Sequence, residues 1–362
     1  MDAAPATDRM TKTGISPQSR RHNDMRRAAV RAHPQLKGLA GTAPWTALAL
    51  PALFGLQWGM AWLVSDAGLL VIFLAAFLFG QVVIHSAGAL LHESAHRLIV
   101  RGDRAKLAFD LGLEAIMTSY GKQLTYQHEH VSSHHPYMGN YEKDYEHEDI
   151  CAFQARQVLK SSNPRLQRAM TVLTLLIHAL PLGFLIGDLV LPRLNAWLSG
   201  QPVKDKARHI GATKPPVWQV RLFIAASLAS NLAMLALLGP WALLYHVWSL
   251  SLFLGKCGVL NLGQSLSEHA GSDEINPTRS TYGPINWLLF NTGYHSEHHS
   301  FPAVPWTRLP VLRREAPEIF NTEAERTYVG YWWEHVRNDF TASRHNPLQD
   351  RDNSQRCRTG VA

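Results

Sequence analysis

Clustered histidines are the side chains of this sequence best suited to chemistry. The chain has 19 histidines among 362 residues, and nine of them fall in the short segments HESAH, HVSSHH, SLSEH and HSEHH. These nine are His92, His96, His130, His134, His135, His269, His295, His298 and His299. Imidazoles spaced i, i+3 or i, i+4 lie on one face of a helix, one turn apart. The clusters therefore indicate ring nitrogens arranged to bind metal.

The number of imidazoles favours two metal ions. A tetrahedral zinc ion takes four ligands, so nine nitrogens suit two ions with four or five ligands each. Imidazole binds iron, copper, zinc and nickel. An all-nitrogen site with open positions suits an oxygen-activating iron pair, and we therefore predict a di-iron centre that uses O2. A single HxxH match usually means nothing, because short motifs match by chance, but several double or triple clusters in one chain are not explained that way.

HESAH also fits a different enzyme class, because it matches the HExxH motif of zinc proteases. In those proteins the two histidines bind zinc and the glutamate, here Glu93, is the general base. Asp110 is the candidate for a further ligand. An intramembrane zinc metalloprotease is therefore the alternative, although it leaves the other three clusters unexplained.

Some further polar residues are candidates for orienting the ligands. His85, His178 and His246 lie within apolar runs, and we expect them to pack or to hold ligands in place. Four carboxylates adjoin the clusters and could accept ring N–H groups: Glu93, Glu129, Glu268 and Glu297.

Long uncharged segments must carry these clusters. Segments 45–64 and 67–91 each reach the ~20 residues that cross a bilayer, and only two residues separate them. The uncharged run 222–255 is interrupted by Gly239-Pro240, which predicts a second hairpin over 222–238 and 241–260. All four histidine clusters then lie beside the ends of predicted spans.

The apolar segment 169–187 decides the predicted topology. If it crossed the membrane, the histidines after the last span would face the opposite side from those after the second. The segment 188–221 that follows carries six Lys/Arg residues, and such basic loops prefer the cytoplasm. We therefore predict an all-α integral-membrane fold of four transmembrane helices in two hairpins, with a cytosolic helical cap that carries the histidine clusters. Segment 169–187 is expected to be interfacial or re-entrant.

Polar and basic segments at the two ends of the chain predict the domain limits and the orientation in the membrane. We predict a polar, basic N-terminal segment over 1–44, with 1–25 disordered, a membrane domain over 45–342 and a polar tail over 343–362. Eight Lys/Arg precede residue 45 and the net charge is +7, which places the N-terminus on the cytoplasmic side of a multi-pass protein. No nucleic-acid-binding motif accompanies this charge, no signal peptide is recognisable, and three distant cysteines argue against a cysteine zinc site.

The three larger clusters resemble the histidine boxes of the membrane fatty acid desaturase and hydroxylase superfamily. The stretch YGPINWLLFNTGYHSEHHSFPAVPWTRLPVLRREAPEIF is similar to the third-box region of sphingolipid Δ4-desaturases, and SEH at 267–269 also fits. The resemblance is specific over about 261–322, and box order and span layout extend it over roughly 45–340.

The resemblance implies a site and its partners. It implies two iron ions held by the nine histidines named above, O2 as co-substrate and a fatty acyl or lipid substrate. It also implies two electrons from outside the chain, since the sequence has no HPGG, GxGxxG or cluster cysteines. The expected donor is a ferredoxin, a rubredoxin or cytochrome b5, with its reductase. The basic residues Arg308, Arg313 and Arg314 could dock an acidic donor or hold anionic lipid headgroups.

The resemblance favours a desaturase but leaves other reactions open. The second box has three residues between His130 and the HH pair, where sphingolipid desaturases usually have two, and with Glu129 it is similar to the EHxxGHH box of membrane alkane hydroxylases. PAVPWTRLP is similar to a stretch of carotenoid ketolases, and Ser265 stands where some acyl desaturases have Asn. Hydroxylation and oxidative decarboxylation to a terminal alkene therefore remain alternatives, because small shifts in substrate position change the outcome.

Overall fold

A computed structural model describes residues 14–140, 143–144, 157–200, 213–269 and 275–340. The described residues form helices and no strand, apart from one isolated bridge between Ser280 and Glu323. The predicted all-α class is therefore confirmed. The predicted tail 343–362, Cys151, Cys357 and three of the six basic residues of segment 188–221 lie outside the described residues.

The described residues form fourteen main helices. In order they are α1 (Pro17–Ala32), α2 (Pro44–Leu63, a 3-10 turn leading into an α-helix), α3 (Leu69–Ala95), α4 (Asp103–Met117), α5 (Lys122–Glu129), α6 (Pro164–Ala179), α7 (Gly183–Leu189), α8 (Leu191–Ser199), α9 (Val217–Leu238), α10 (Pro240–Leu254), α11 (Val259–His269), α12 (His295–Ser300), α13 (Leu309–Glu315) and α14 (Tyr328–Arg337). Short 3-10 segments cover Pro34–Leu39 and Pro284–Trp287.

Four helical stretches are long and apolar enough to cross a membrane, as predicted. They are α2, α3, α9 and the combined stretch Pro240–His269, which contains α10 and α11. They form the two predicted hairpins, and the second turns at Gly239, whose φ of +87° favours glycine. The protein is therefore an integral membrane protein with four spans.

The fourth span is longer than the sequence predicted. The helix is interrupted near Gly258 but resumes as α11, so the helical stretch continues past residue 260 to His269. A side chain at Gly258 would clash with the carbonyl oxygen of Phe253, so the break needs glycine. The extension places His269 at the end of the span, inside the cap.

Exposed tryptophans mark both ends of the spans. Trp45 and Trp218 lie at the starts of α2 and α9, while Trp62 and Trp241 lie at the hairpin ends of the first and fourth spans. Tryptophan is enriched where a membrane meets water. The exposed tryptophans are therefore placed as expected for a helical bundle that faces lipid.

Segment 169–187 does not form a candidate span. It is divided between α6 and α7 by a turn at 180–182, where Leu182 has a φ of +60°. Trp248 donates its ring N–H to the carbonyl of Ala179 at 2.7 Å, and Ser251 donates to the carbonyl of Leu180 at 3.2 Å. The turn therefore lies against the middle of α10, as expected for a re-entrant segment.

The N-terminal segment is helical, so the prediction of disorder over 1–25 is wrong from Pro17 onwards. The Ser16 side chain caps α1 at the backbone N–H of Ser19, and proline stands at the first position of the helix. His22, Met25 and Ala29 form one buried face, and the last two pack in an apolar cluster with residues of α13 and its flanks. The many charged residues of this segment obscure the pattern of its buried residues in the sequence.

Candidate metal centre

The ends of several helices bring all nine predicted histidines together. The last turn of α3 supplies His92, and His96 follows directly after it. Segment 130–135 supplies three imidazoles, α11 ends at His269, and α12 carries the last three. The structure therefore joins residues that are up to about 200 positions apart in the sequence, from His92 to His299.

The nine imidazoles divide into two groups. One contains His92, His96, His130, His135 and His298, and the other contains His134, His269, His295 and His299. Within each group the candidate ligand atoms all lie within 4.8 Å of one another. Five and four nitrogens match the ligand numbers expected for two metal ions.

Distances between ring nitrogens support this division. Nε2 of His130 lies 3.1 Å from Nε2 of His135, and the Nε2 atoms of His269 and His295 are 2.9 Å apart. Neighbouring nitrogens around one metal, at bond lengths of about 2.1 Å, are separated by roughly 3 Å. These two pairs of nitrogens are therefore spaced as ligands of one metal ion would be.

A π-helical turn explains the spacing of the second box. His130–His134 form this turn, and the backbone N–H of His135 bonds to the carbonyl of His130. A π-turn aligns residues five apart, so His130 and His135 join the first group while His134 points to the second. The third residue between His130 and the HH pair is accommodated in this turn. The second box therefore contributes imidazoles to both groups.

Burial keeps these imidazoles neutral. It is the main cause that lowers the pKa values of His96, His135, His298 and His299 well below 6.5, with neighbouring histidines adding to the effect. A neutral imidazole has a lone pair for a cation, whereas a protonated one has none. The buried Nε2 of His96 and Nδ1 of His298 have no hydrogen-bond partner. These four imidazoles are therefore available to bind metal at neutral pH.

Carboxylates hold two of the imidazoles in position. Nδ1 of His134 lies 2.9 Å from Oδ1 of Asp144, whose other oxygen accepts the backbone N–H of Gly139 at 2.7 Å. Oε2 of Glu268 lies 3.6 Å from Nδ1 of His295. A carboxylate behind a ligating imidazole fixes the orientation of the ring and raises its basicity. The sequence indicated Glu268 but not Asp144, which no spacing rule connects with His134.

Gln264 connects Glu268 with His85 of α3. Gln264 donates to Glu268 at 2.7 Å, and its own side-chain oxygen lies 2.7 Å from Nε2 of His85. His85 therefore acts through Gln264, which agrees with the orienting role predicted for it.

The other predicted carboxylates have different partners. Glu93 accepts the backbone N–H of Trp306 at 3.1 Å, and Glu297 accepts the hydroxyls of Ser280 and Tyr282, each at 2.7 Å. Burial raises the pKa of Glu297 to about 7. Glu129 lies in the wall of a cavity beside the centre. Three of the four predicted orienting carboxylates thus have surroundings that the sequence did not indicate.

Asp110 does not join the histidines. Its carboxylate accepts the hydroxyl of Ser94 and the ammonium of Lys106, each at 2.5 Å. Both histidines of HESAH instead belong to the group of five. Asp110 is therefore not the further ligand that the zinc-protease interpretation proposed, and that interpretation leaves the group of four histidines unexplained.

Two buried histidines have packing roles, as predicted. His246 lies 3.0 Å from the hydroxyl of Thr118 and 3.2 Å from the side-chain nitrogen of Gln57, so it links α10 with the end of α4 and with α2. His178 accepts the backbone N–H of Lys256 at 3.3 Å. Neither belongs to a metal-binding group.

The sequence missed one further histidine, His22 of α1. Its Nδ1 lies 2.9 Å from the Ser300 hydroxyl, its Nε2 lies 3.3 Å from Thr278, and its ring centroid is 5.2 Å from that of His299. Burial lowers its pKa to about 3. His22 therefore connects α1 to the outer side of the centre.

A cavity of about 580 Å³ opens beside the histidines. Its apolar wall comes from the spans and from the end of α4: Gly88, Ala89, Leu91, Met117, Leu250, Phe253 and Leu254. His92, His130 and His295 also line it. A hydrocarbon chain in this cavity would lie directly against ligands of both groups.

Comparison with known proteins identifies the family. A family model described as fatty acid desaturase matches residues 67–334. The chain belongs to the fatty acid desaturase family. It is therefore an oxidoreductase of the membrane, and its substrate is a lipid. No solved structure matches the chain significantly.

Individual members of the fatty acid desaturase family are similar over most of the chain. A sphingolipid delta(4)-desaturase DES1-like protein of Oryza sativa subsp. japonica is 29% identical over 83% of this chain and 81% of its own length. A sphingolipid delta(4)-desaturase of Drosophila melanogaster is 28% identical over 88% of each chain. A sphingolipid delta(4)-desaturase/C4-monooxygenase of Homo sapiens is 26% identical over 88% of each.

Proposed function

We propose that this protein is a di-iron lipid desaturase that uses O2. The observation that carries the proposal is the pair of buried histidine groups beside a cavity that has an apolar wall on the side of the spans. Iron would be held by His92, His96, His130, His135 and His298 in one group and by His134, His269, His295 and His299 in the other. Imidazole suits iron, and the family supports oxidation of an alkyl chain.

The reaction must supply a strong oxidant, because an unactivated C–H bond is broken. Bound iron would provide it by activating O2. The balance is R–CH2–CH2–R′ + O2 + 2 e⁻ + 2 H⁺ → R–CH=CH–R′ + 2 H2O. Asp144 and Glu268 hold His134 and His295 in place, and the apolar wall fixes the alkyl chain and excludes water. Positioning of this kind decides which carbon reacts.

The charges of the cavity favour a lipid with an uncharged head group. Among the described residues, its wall has one basic residue, Lys122, and three acidic ones, Glu129, Asp188 and Glu268. A fatty acid carboxylate or the phosphates of an acyl thioester would be repelled by such a wall. Hydroxyl and amide groups can bond to it, which agrees with the sphingolipid substrates in the names of the relatives. We therefore propose a saturated sphingolipid as the substrate.

Hydroxylation is the second candidate reaction. The human relative is named as both a desaturase and a C4-monooxygenase, and the oxidant is the same. Its balance is R–H + O2 + 2 e⁻ + 2 H⁺ → R–OH + H2O. Decarboxylation is less favoured, because it requires a carboxylate substrate beside an acidic wall.

The proposal includes the source of the electrons and the side of the membrane that the histidine clusters face. The chain would take electrons from a separate ferredoxin, rubredoxin or cytochrome b5 with its reductase. The N-terminus and the histidine clusters would face the cytoplasm, since basic segments adjoin the cap ends of the spans.

The test is lipid turnover by purified protein in lipid nanodiscs. The protein would receive an N-acyl sphinganine, and in parallel palmitic acid and palmitoyl-CoA, with O2 and chemically reduced or carrier-supplied electrons. Mass spectrometry is expected to show an O2-dependent loss of two hydrogens from the sphingoid chain, with or without added oxygen in a second product. Turnover of the free acid or thioester alone would contradict the proposed head group, and no O2-dependent product from any lipid would contradict the function.

A further inference from the structure

We propose that the exposed arginine face of α1 is the docking surface for an acidic one-electron carrier protein. This inference rests on the proposed function, which needs two electrons from outside the chain. It concerns where those electrons enter, and it follows from the charge of α1 and from the contacts of its opposite face.

The outward face of α1 is strongly basic. The helix has five arginines and one acidic residue, Asp24. Its exposed arginine side chains, which we call the arginine face, are Arg21, Arg26, Arg27 and Arg31. A surface of one charge steers an oppositely charged partner and raises the rate of association. The partner that fits is therefore acidic.

The inward face of α1 contacts the metal centre. The Ser19 hydroxyl donates to the backbone carbonyl of His135 at 2.7 Å. His22 lies 2.9 Å from Ser300, and its ring centroid is 5.2 Å from that of His299. One ligand from each histidine group thus adjoins this helix.

The distance from surface to centre is therefore short. A helix with its side chains is about 10–12 Å across, and in the part of the chain that the structure describes α1 alone lies between the arginine face and His135 and His299. Electron transfer slows steeply as the distance grows. A carrier bound on the arginine face would stand one helix away from both histidine groups.

The carrier and the lipid would approach from different sides. The cavity is lined by His92, His130 and His295, and among its described lining residues none comes from α1. The ligands that adjoin α1, His135 and His299, do not line the cavity. Substrate and carrier can therefore be bound at the same time.

The basic residues after the third box are largely used inside the cap. Arg308 donates to the carbonyls of Leu39 at 2.8 Å and of Thr42 at 3.1 Å. Arg313 lies over the ring of Tyr282 and pairs with Glu323 at 3.2 Å. These two side chains hold the cap together, and Arg314 is exposed and pairs with its neighbour Glu315 at 3.1 Å. On the arginine face, Arg21 donates to the carbonyl of Ile275 at 3.0 Å and Arg27 pairs with Asp24 at 3.3 Å. The arginine face is the stronger candidate because it has four exposed arginines, whereas only one of Arg308, Arg313 and Arg314 is exposed.

The experiment compares two charge-reversal variants of the full-length protein in neutral nanodiscs and, in parallel, in nanodiscs that contain anionic lipid. One carries Arg26→Glu and Arg27→Glu, and the matched control carries Arg101→Glu and Arg104→Glu, two exposed arginines on the loop and helix after HESAH. Stopped-flow absorbance measures the oxidation of a pre-reduced acidic [2Fe–2S] ferredoxin at several salt concentrations. Iron content and product from one turnover driven by dithionite are measured alongside.

The first variant should lose at least about tenfold in the second-order rate constant and show a weaker salt dependence, as loss of electrostatic steering predicts. The control should stay within about twofold of the wild type, and both variants should keep their iron and their dithionite-driven product. Equal rate constants for both variants would overturn the docking surface. So would a loss that appears only in nanodiscs with anionic lipid, because the arginines would then bind headgroups.

Failure of the proposed function is visible separately. If the wild type gave no lipid product with dithionite and O2, the proposed reaction would be contradicted. The rate constants of ferredoxin oxidation would still decide whether the arginine face receives the carrier.

Discussion

At the scale of single residues, the centre depends on groups behind the imidazoles as well as on the imidazoles themselves. Asp144 is 1% exposed and lies 2.9 Å from Nδ1 of His134. Its second oxygen is held by the backbone N–H of Gly139. This arrangement presents the other nitrogen of His134 to the second group, where it lies 3.2 Å from Nε2 of His299.

We expect Asp144→Ala to weaken metal binding in the second group. Loss of a carboxylate behind a ligating histidine typically costs about 10–100-fold in metal affinity or activity. Iron release to a chelator should therefore accelerate, and Asp144→Asn should recover part of the loss because its amide oxygen can still accept the ring N–H. Asp103→Asn is the control, since Asp103 pairs with Arg97 on the exposed surface. Equal release rates in Asp144→Ala and the control would show that Asp144 does not position His134.

The sequence revealed residues whose spacing has a helical period, and it missed those that meet only in three dimensions. The nine histidines were recognisable because pairs such as His92 and His96 are four residues apart. Asp144 lies ten residues after His134, and His22 lies seventy residues before His92, so no local pattern links them to the site. Such contacts are set by the packing of the cap.

At the scale of helices, one close approach places the end of the fourth span. Gly263 of α11 lies against Tyr328 of α14, and a side chain there would clash with the carbonyl oxygen of Tyr328. His269 is six residues further along the same helix. The position of that imidazole therefore depends on how closely α14 packs against α11.

Gly263→Ala should force these helices apart and lower both the midpoint of thermal unfolding and the iron content. Overpacking of this kind typically costs about 1–3 kcal/mol. Gly59→Ala is the matched control, because a side chain at Gly59 on α2 meets nothing within 4 Å. Thermal unfolding and iron analysis of both variants in one detergent measure the effect. A Gly263→Ala protein that matches Gly59→Ala in both would show that this contact does not position α11.

The helices themselves were largely predictable, while their irregularities were not. The first three spans lie within a few residues of their predicted limits, because runs of uncharged residues are an unambiguous signal. The fourth span extends beyond its predicted limit at residue 260, since the break near Gly258 resembles the end of a helix. The π-turn at His130–His134 has no sequence signature, and the buried face of α1 was obscured by five arginines.

At the scale of the whole molecule, the candidate metal centre lies between two surfaces that we propose bind different partners. On the membrane side, an apolar cavity reaches His92, His130 and His295. On the other side, α1 covers the centre and presents the arginine face. Lipid and electrons would thus reach the same imidazoles without competing. Charge patterning in the sequence indicated that the cap faces the cytoplasm, which stays a prediction.

The metal content of the purified protein tests the central claim most directly. We predict about two iron atoms per chain by elemental analysis, because five and four imidazoles form two groups of ligand atoms. Mössbauer spectroscopy of ⁵⁷Fe-enriched protein should show iron with nitrogen ligands. A well-folded preparation that holds one zinc and no iron would contradict the di-iron account.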